Sequence, residues 1–305
     1  MKKKDIKLIL NSRDRKYPMN YQSLITLTFS KMQGLGNDYI LIDNRDAKIR
    51  EDKISNLAQK LCVRRFSVGA DGLILLYNSD IADAKMRIFN ADGSEAEMCG
   101  NGIRCLAKYC YENGIVNKTE MEIETLAGVK KIWLELEEGK IKAATVAMGK
   151  PVFERSLIPM IGKGKCINED LKVDNATYKI TCLSVGNPHC VIFVEDVDSF
   201  PVEKIGPKIE RHGLFPKRTN VEFVQALKND EIKVRVWERG VGETFACGTG
   251  ACASVVAGNL LQKSAKACTV HLLGGDLKVK YADDNIMMSG PAETVFKGVM
   301  DLEVS

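Results

Sequence analysis

Two short runs stand out for what they could do to a proton: Cys99-Gly100-Asn101-Gly102 and Cys247-Gly248-Thr249-Gly250. Glycine is a poor helix former, so propensity does not put it after each cysteine. It removes side chains and lets backbone N–H groups approach a ligand closely. The first turn of a helix leaves N–H donors unpaired and carries partial positive charge, a seat for a carboxylate. The same field favours the thiolate of a cysteine placed there. One such run makes a basic or nucleophilic cysteine. Two, facing one cleft, put a sulfur on either side of a bound molecule. Inverting a carbon stereocentre by proton transfer needs a base on one face and an acid on the other, exchanging roles with the direction of reaction. Charge developing on the carbanion would spread into a carboxylate held by the helix N–H donors. Such chemistry needs no pyridoxal lysine and no metal, so no cofactor is expected.

The elements that must position these runs can be read on either side of them. After Cys99, Ile103, Leu106, Ala107 and Cys110 fall at helical spacing, and Gly114 is placed to cap the helix. After Cys247, Ala251–Leu261 is small and apolar on nearly every face, as in a helix buried all round. Cys105, Cys110 and Cys252 point to other faces or lie further along and read as packing. Strand-like runs fill much of the rest: Ile25–Lys31, Tyr39–Asp43, Gly72–Tyr77, Lys85–Asn90, Lys130–Glu137 and Ala143–Met148, then Lys179–Val185, Cys190–Val194, Asn220–Ala226, Ile232–Glu238, Thr269–Leu273 and Leu277–Tyr281.

The chain also repeats itself. Gly36-Asn37-Asp38-Tyr39 is echoed by Gly186-Asn187-Pro188-His189 at an offset of 150 residues, and Asp71-Gly72-Leu73-Ile74 by Asn220-Val221-Glu222-Phe223 at 149. Ala91-Asp92-Gly93 aligns with Glu238-Arg239-Gly240 at 147, and the two cysteine runs match at 148. Each match is weak alone; four in the same order predict a duplicated unit. The duplication reverses the reading of a lone Cys-Gly-x-Gly, which is otherwise a turn into a helix with an inert thiol.

Composition narrows the class. With 45% hydrophobic and 28% charged residues the chain reads as soluble and globular. No apolar stretch approaches the roughly 18 residues of a membrane span, and no signal-peptide core is seen, so a cytoplasmic protein is expected. Residues 1–26 carry five net positive charges against a total of +4, leaving the remainder at −1. A near-neutral body gives no electrostatic case for nucleic acid or an anionic membrane, and the basic leader is expected to be disordered. No Cys-x2-Cys pair occurs and the three histidines are scattered, so no metal site is expected. Gly248-Thr249-Gly250-Ala251-Cys252-Ala253 fits a dinucleotide fingerprint, but a glycine-broken loop, not a buried strand, precedes it.

At these residues the sequence resembles the diaminopimelate epimerase family. The resemblance is carried by Lys31–Tyr39, Phe89–Ser94, Met98–Cys105, Gly186–His189, Thr219–Phe223 and Trp237–Ala251, and runs from about Leu27 to the C-terminus. It implies that Cys99 and Cys247 are the base and acid, and that Gly100, Asn101, Gly248 and Thr249 hold the reacting carboxylate. It implies that Asn37, Asn90, Asn187, Asn220 and Arg239, with Glu238, recognise the amino and carboxylate groups, chiefly at the distal centre. His189 and Glu238 would tune the thiols. The implied fold is α/β (α+β): two pseudo-symmetric domains, each a curved mixed sheet enclosing a central helix, with the site in the cleft between them. The domains would be 27–147 with 293–305, and 148–292. A homodimer is implied too, interconverting LL- and meso-diaminopimelate for lysine and cell-wall synthesis. A proline or hydroxyproline racemase, or a non-catalytic amino-acid-binding protein, is the alternative.

Overall fold

The computed structural model describes residues 24–303. Alternation in the first described run, with Thr26 and Thr28 exposed and Leu27 and Phe29 buried, makes strand β1 (Leu24–Gly34). Leu35 and Gly36, both at positive φ (57° and 83°), form the tight turn into β2 (Asn37–Asp43). Then follow α1 (Ile54–Leu61), β3 (Gly72–Tyr77), β4 (Ala84–Asn90), β5 (Glu95–Ala96), α2 (Gly100–Glu112), β6 (Glu120–Thr125), β7 (Gly128–Glu137) and β8 (Lys140–Gly149). The second half runs β9 (Cys166–Val173), β10 (Ala176–Ser184), β11 (Pro188–Phe193), α3 (Val202–Glu210), β12 (Asn220–Lys228), β13 (Glu231–Glu238), β14 (Gly242–Thr244) and α4 (Gly248–Leu260). It closes with β15 (Ala267–Leu272), β16 (Gly275–Ala282), β17 (Asn285–Gly290) and β18 (Glu293–Glu303).

The two halves share one topology. In the first, β2 pairs parallel with β3, β3 antiparallel with β4, and β4 parallel with β6, which leads antiparallel through β7 to β8. In the second, β11, β12, β13, β15, β16 and β17 repeat that order and those directions. Each sheet wraps a helix: α2 touches β1 to β4 and β6 to β8, and α4 touches β10 to β13 and β15 to β17. That enclosure explains an α4 built of small apolar residues, buried at Gly248 and from Gly250 to Gly258. β8 pairs with β17 to join the halves, and β18 returns to the outer side of β1, as β9 lies on the outer side of β10.

Register locates three features of the sequence reading on the strands. β1 begins at Leu24, opposite Glu303, one residue before the expected strand run Ile25–Lys31 and within the stretch expected as leader; residues 1–23 lie outside the described residues. The expected division after residue 147 falls inside β8, which continues to Gly149 because Ile286 of β17 pairs there. The pairing Gly72↔Asn90 sets Asn90 on the rung that Glu238 holds in the second half, an offset of 148 where the motif alignment had 147.

Candidate active site

Each cysteine stands one residue before its helix, in extended conformation. Cys99 caps α2 at φ −136°, ψ 126°, and Cys247 caps α4 at φ −117°, ψ 109°. The glycines after them are spaces. A Cβ on Gly102 would come within 3.0 Å of Ile74 Cδ1, and one on Gly250 within 2.8 Å of Glu222 Oε1. Ile74 of β3 and Glu222 of β12 hold matching rungs in the two halves. A Cβ on Gly100 would lie 2.8 Å from Met288 Cε and one on Gly248 2.9 Å from Met288 Sδ, so both helix starts rest on one thioether.

Around Cys99 the groups are polar. The Tyr39 hydroxyl lies 2.9 Å from Sγ, and also donates to Asn37 Oδ1 in a short contact. Burial first, and then the neighbouring Cys99, push the Tyr39 phenol well above its ordinary pKa, so it keeps its proton. Asn37 is oriented by Asp71, whose Oδ2 accepts from Asn37 Nδ2 at 2.9 Å, and Asp71 is held by Arg64 at 2.8 Å. Arg64 also grips Asp38 at 2.6 Å, beside Lys31. Burial alone would raise Asp38, but the Arg64 and Lys31 hydrogen bonds outweigh it and hold that carboxyl below its usual range.

Around Cys247 the groups are acidic and dry. Sγ accepts from Gly250 N–H at 3.4 Å and lies 3.4 Å from Thr249 Oγ1. His189 Nδ1 is 2.7 Å from Glu222 Oε1, both side chains wholly buried, and His189 Nε2 is 2.8 Å from Asn187 Oδ1. Glu238 accepts from Thr244 Oγ1 at 2.6 Å, and burial raises its carboxyl pKa. Burial, then the fields of Glu238 and Glu222, push the Cys247 thiol well above its ordinary range despite the helix donors. The expectation that the helix start favours the thiolate is thus reversed at Cys247: desolvation and two carboxylates outweigh the N–H groups.

Asn101 ties the two places together. It is buried, and its Nδ2 donates to Asn37 Oδ1 at 3.2 Å and to the Ala246 carbonyl, next to Cys247, at 3.3 Å. Among the described residues no group of three or more His, Cys, Asp or Glu is placed to hold a metal ion.

The sequence model for diaminopimelate epimerase matches residues 29–154 and 181–295. A diaminopimelate epimerase of Pelotomaculum thermopropionicum is 55% identical over 272 residues, spanning 88% of this chain and 97% of its own. One from Moorella thermoacetica is 52% identical over 278 residues, spanning 90% and 99%. The chain belongs to the diaminopimelate epimerase family. Solved structures share its fold at low identity. A hydroxyproline epimerase from Agrobacterium vitis superposes with TM-score 0.69 at 14% identity, covering 93% of this chain and 94% of its own. A phenazine biosynthesis protein of the PhzF family from Bacillus anthracis gives 0.67 at 18%, covering 90% and 99%.

The residues that the family resemblance singled out fall at one rim of the two sheets, where β2, β11 and β12 begin and β4 and β13 end. Not all offer free groups. The Asn220 amide is spent on backbone, donating to Pro188 O at 2.8 Å and accepting from Arg239 N–H at 2.9 Å. Asn90 is exposed and donates to Ser94 Oγ at 2.9 Å. Arg239 is exposed, its guanidinium 3.4 Å from Lys217 O, and among the described residues no carboxylate is in ion-pair reach of it. Four neighbours of the thiols had no expected role: Tyr39, Asp71, Glu222 and Met288. Tyr39 was findable, since period-two alternation puts it on the face of β2 that carries Asn37.

Proposed function

We propose that the protein interconverts LL- and meso-diaminopimelate, with Cys99 and Cys247 serving opposite faces of the α-carbon. The observation that carries the reading is the convergence of the two cysteine-capped helices on Met288, bridged by Asn101. One sulfur, as thiolate, removes the α-proton; the electron pair passes into the carboxylate. The N–H groups at Gly100, Asn101, Gly248 and Thr249 lie in first turns, which leave donors unpaired, and stabilise that charge. The other thiol then gives its proton to the opposite face. Asn37, Asn90, Asn187 and Glu238 take the amino groups, Arg239 turns in to pair with the distal carboxylate, Asn220 holds the Arg239 backbone, and His189 with Glu238 tunes Cys247. A cytoplasmic homodimer completes the reading; Val295 and Val299, exposed on β18, support an association surface. Among the described residues no helix is long and apolar enough to cross a membrane.

Turnover in deuterated water tests the mechanism. Early product carries deuterium at the α-carbon while recovered substrate stays mostly unlabelled, from either isomer, and proline is not turned over. Substantial retention of the original α-hydrogen in the product overturns the two-thiol reading.

A further inference from the structure

The turn that carries Arg239 has little of its own to hold it. Glu238 and Gly242 pair across β13 and β14, leaving Arg239, Gly240 and Val241 exposed between them. One backbone bond closes the turn, from Val241 N–H to Glu238 O at 3.1 Å. Gly240 sits at φ +78°, and a Cβ added there would meet nothing within 4 Å, so packing does not fix the backbone. Its direction is set from outside, by two side-chain acceptors. Asn220 Oδ1 takes the Arg239 N–H and Glu210 Oε1 takes the Gly240 N–H, each at 2.9 Å.

Glu210 is the last residue of α3 and is buried. Its other oxygen, Oε2, accepts from the Trp237 indole N–H at 2.9 Å, and Arg218 Nη1 stands 3.5 Å from Oε1. An indole and a backbone amide can only donate, so a side chain that meets both must accept at both ends. A glutamine would set its own N–H groups against one of them. Gly206, one helical turn earlier on the same face of α3, lets the Trp237 ring approach: a Cβ there would fall 2.6 Å from Trp237 Cγ. Burying a carboxylate is costly unless its partners are in place, so the end of β13 is braced where those donors are met.

The first half makes the matching contact without charge. α1 lies between β2 and β3 in the chain as α3 lies between β11 and β12. Its exposed Gln59 donates to Asp92 O at 2.7 Å, and Asp92 matches Gly240 at the 148-residue offset set by the strand register. That turn carries Ala91 where the second carries Arg239. The buried carboxylate belongs to the half that presents the cation.

We propose that Glu210 is a positioning residue for the distal end of the substrate, clamping the Arg239–Val241 turn so that the guanidinium is delivered to the far carboxylate. The proposal rests on the reading of Arg239 as the distal anchor. Buried beneath the turn, Glu210 touches no substrate and acts through the Gly240 backbone.

Steady-state kinetics on a double-mutant cycle of Glu210→Gln and Arg239→Ala test it. In Glu210→Gln, kcat/KM for diaminopimelate is expected to fall about ten-fold, the scale of one lost hydrogen bond, with KM carrying most of the change. With Arg239 already alanine, the same change should cost less than about two-fold, because no anchor is left to misplace. A merely loosened core would cost the same whether or not residue 239 is charged. Parent kinetics in folded Glu210→Gln overturn the proposal, and so does a loss that persists in full beside an impaired Arg239→Ala. Glu210→Asp, one methylene short of spanning both donors, repeats the cycle should the glutamine variant not fold. If neither folds, Glu210 belongs to the core alone and the proposal is overturned. Near-normal kinetics in Arg239→Ala by itself would instead break the reading of Arg239, and take the proposal with it.

Discussion

The two helix starts are copies of one device placed in unlike surroundings. On the third rung of the parallel strand pair the first half sets Ile74 under Gly102, and on the first rung Tyr39 against the cysteine; the second half sets Glu222 on the third rung under Gly250 and pairs it with His189 of the first. α2 carries a buried arginine, whereas α4 carries no charged residue at all. Duplication kept the backbone of the two helix starts. Divergence changed the charges around the two sulfurs, as the opposite roles proposed for Cys99 and Cys247 would require.

The largest expected effect ignores that inequality. Cys99→Ala and Cys247→Ala should each lower epimerisation by at least about 10³-fold, within the range of lost acid–base catalysis. Steady-state rates on both isomers check it, and one variant within ten-fold of the parent would break the comparison. Next comes the rung itself. Glu222→Ala leaves His189 buried without its partner and should cost about 3–5 kcal/mol in urea unfolding. Ile74→Val on the matching rung should cost about 0.5–1.5 kcal/mol. Equal costs would mean that the acid pair is no more committed than the apolar contact.

Arg239 has no cationic counterpart, because Ala91 follows Asn90 where Arg239 follows Glu238. Arg239→Ala should lower kcat/KM for diaminopimelate by about 30-fold to several thousand-fold, equivalent to about 2–5 kcal/mol. Near-normal kinetics would place Arg239 outside the site.

The smallest effect concerns the packed thiols. Burial pushes Cys105, Cys110 and Cys252 up to about 12. With folded values raised, their contribution is full below the unfolded thiol pKa and is lost as pH rises through 9 toward 12. Stability should fall by on the order of 1 kcal/mol per thiol between pH 8 and 10. An unchanged urea midpoint over that interval would contradict their burial.

Much of this was legible because duplicated motifs sit where strands meet helix starts. Gly100, Gly102, Gly248 and Gly250 were conspicuous from composition alone, though their steric reason needed Met288, Ile74 and Glu222, remote in sequence. Helix α3 was hidden by Gly206 and Pro207; it is held by buried Val202, Ile205 and Ile209, and Gly206 lets the Trp237 ring lie flush against it. β9 was obscured because charged residues fill its exposed positions around buried Leu171 and Val173. Arg104 stood in a recognised motif, yet no pattern says that a long cation folds back under its own helix. Its acceptor Pro291 O and the Gly34 backbone beside its Nη2 are close only once the sheets have closed.

The return of β18 to β1 has a consequence for how the chain is made. Thr26 and Asp301 share a hydrogen bond across 275 residues, so the outer neighbour of the first described strand is the last described strand, synthesised only after both helices are made. Until then the N-terminal half carries an open edge of unpaired N–H and C=O groups. Vectorial synthesis ordinarily lets an early domain finish first. Here the early half waits for the late one, and a chain stalled before β18 would present a sticky edge to chaperones rather than half an enzyme.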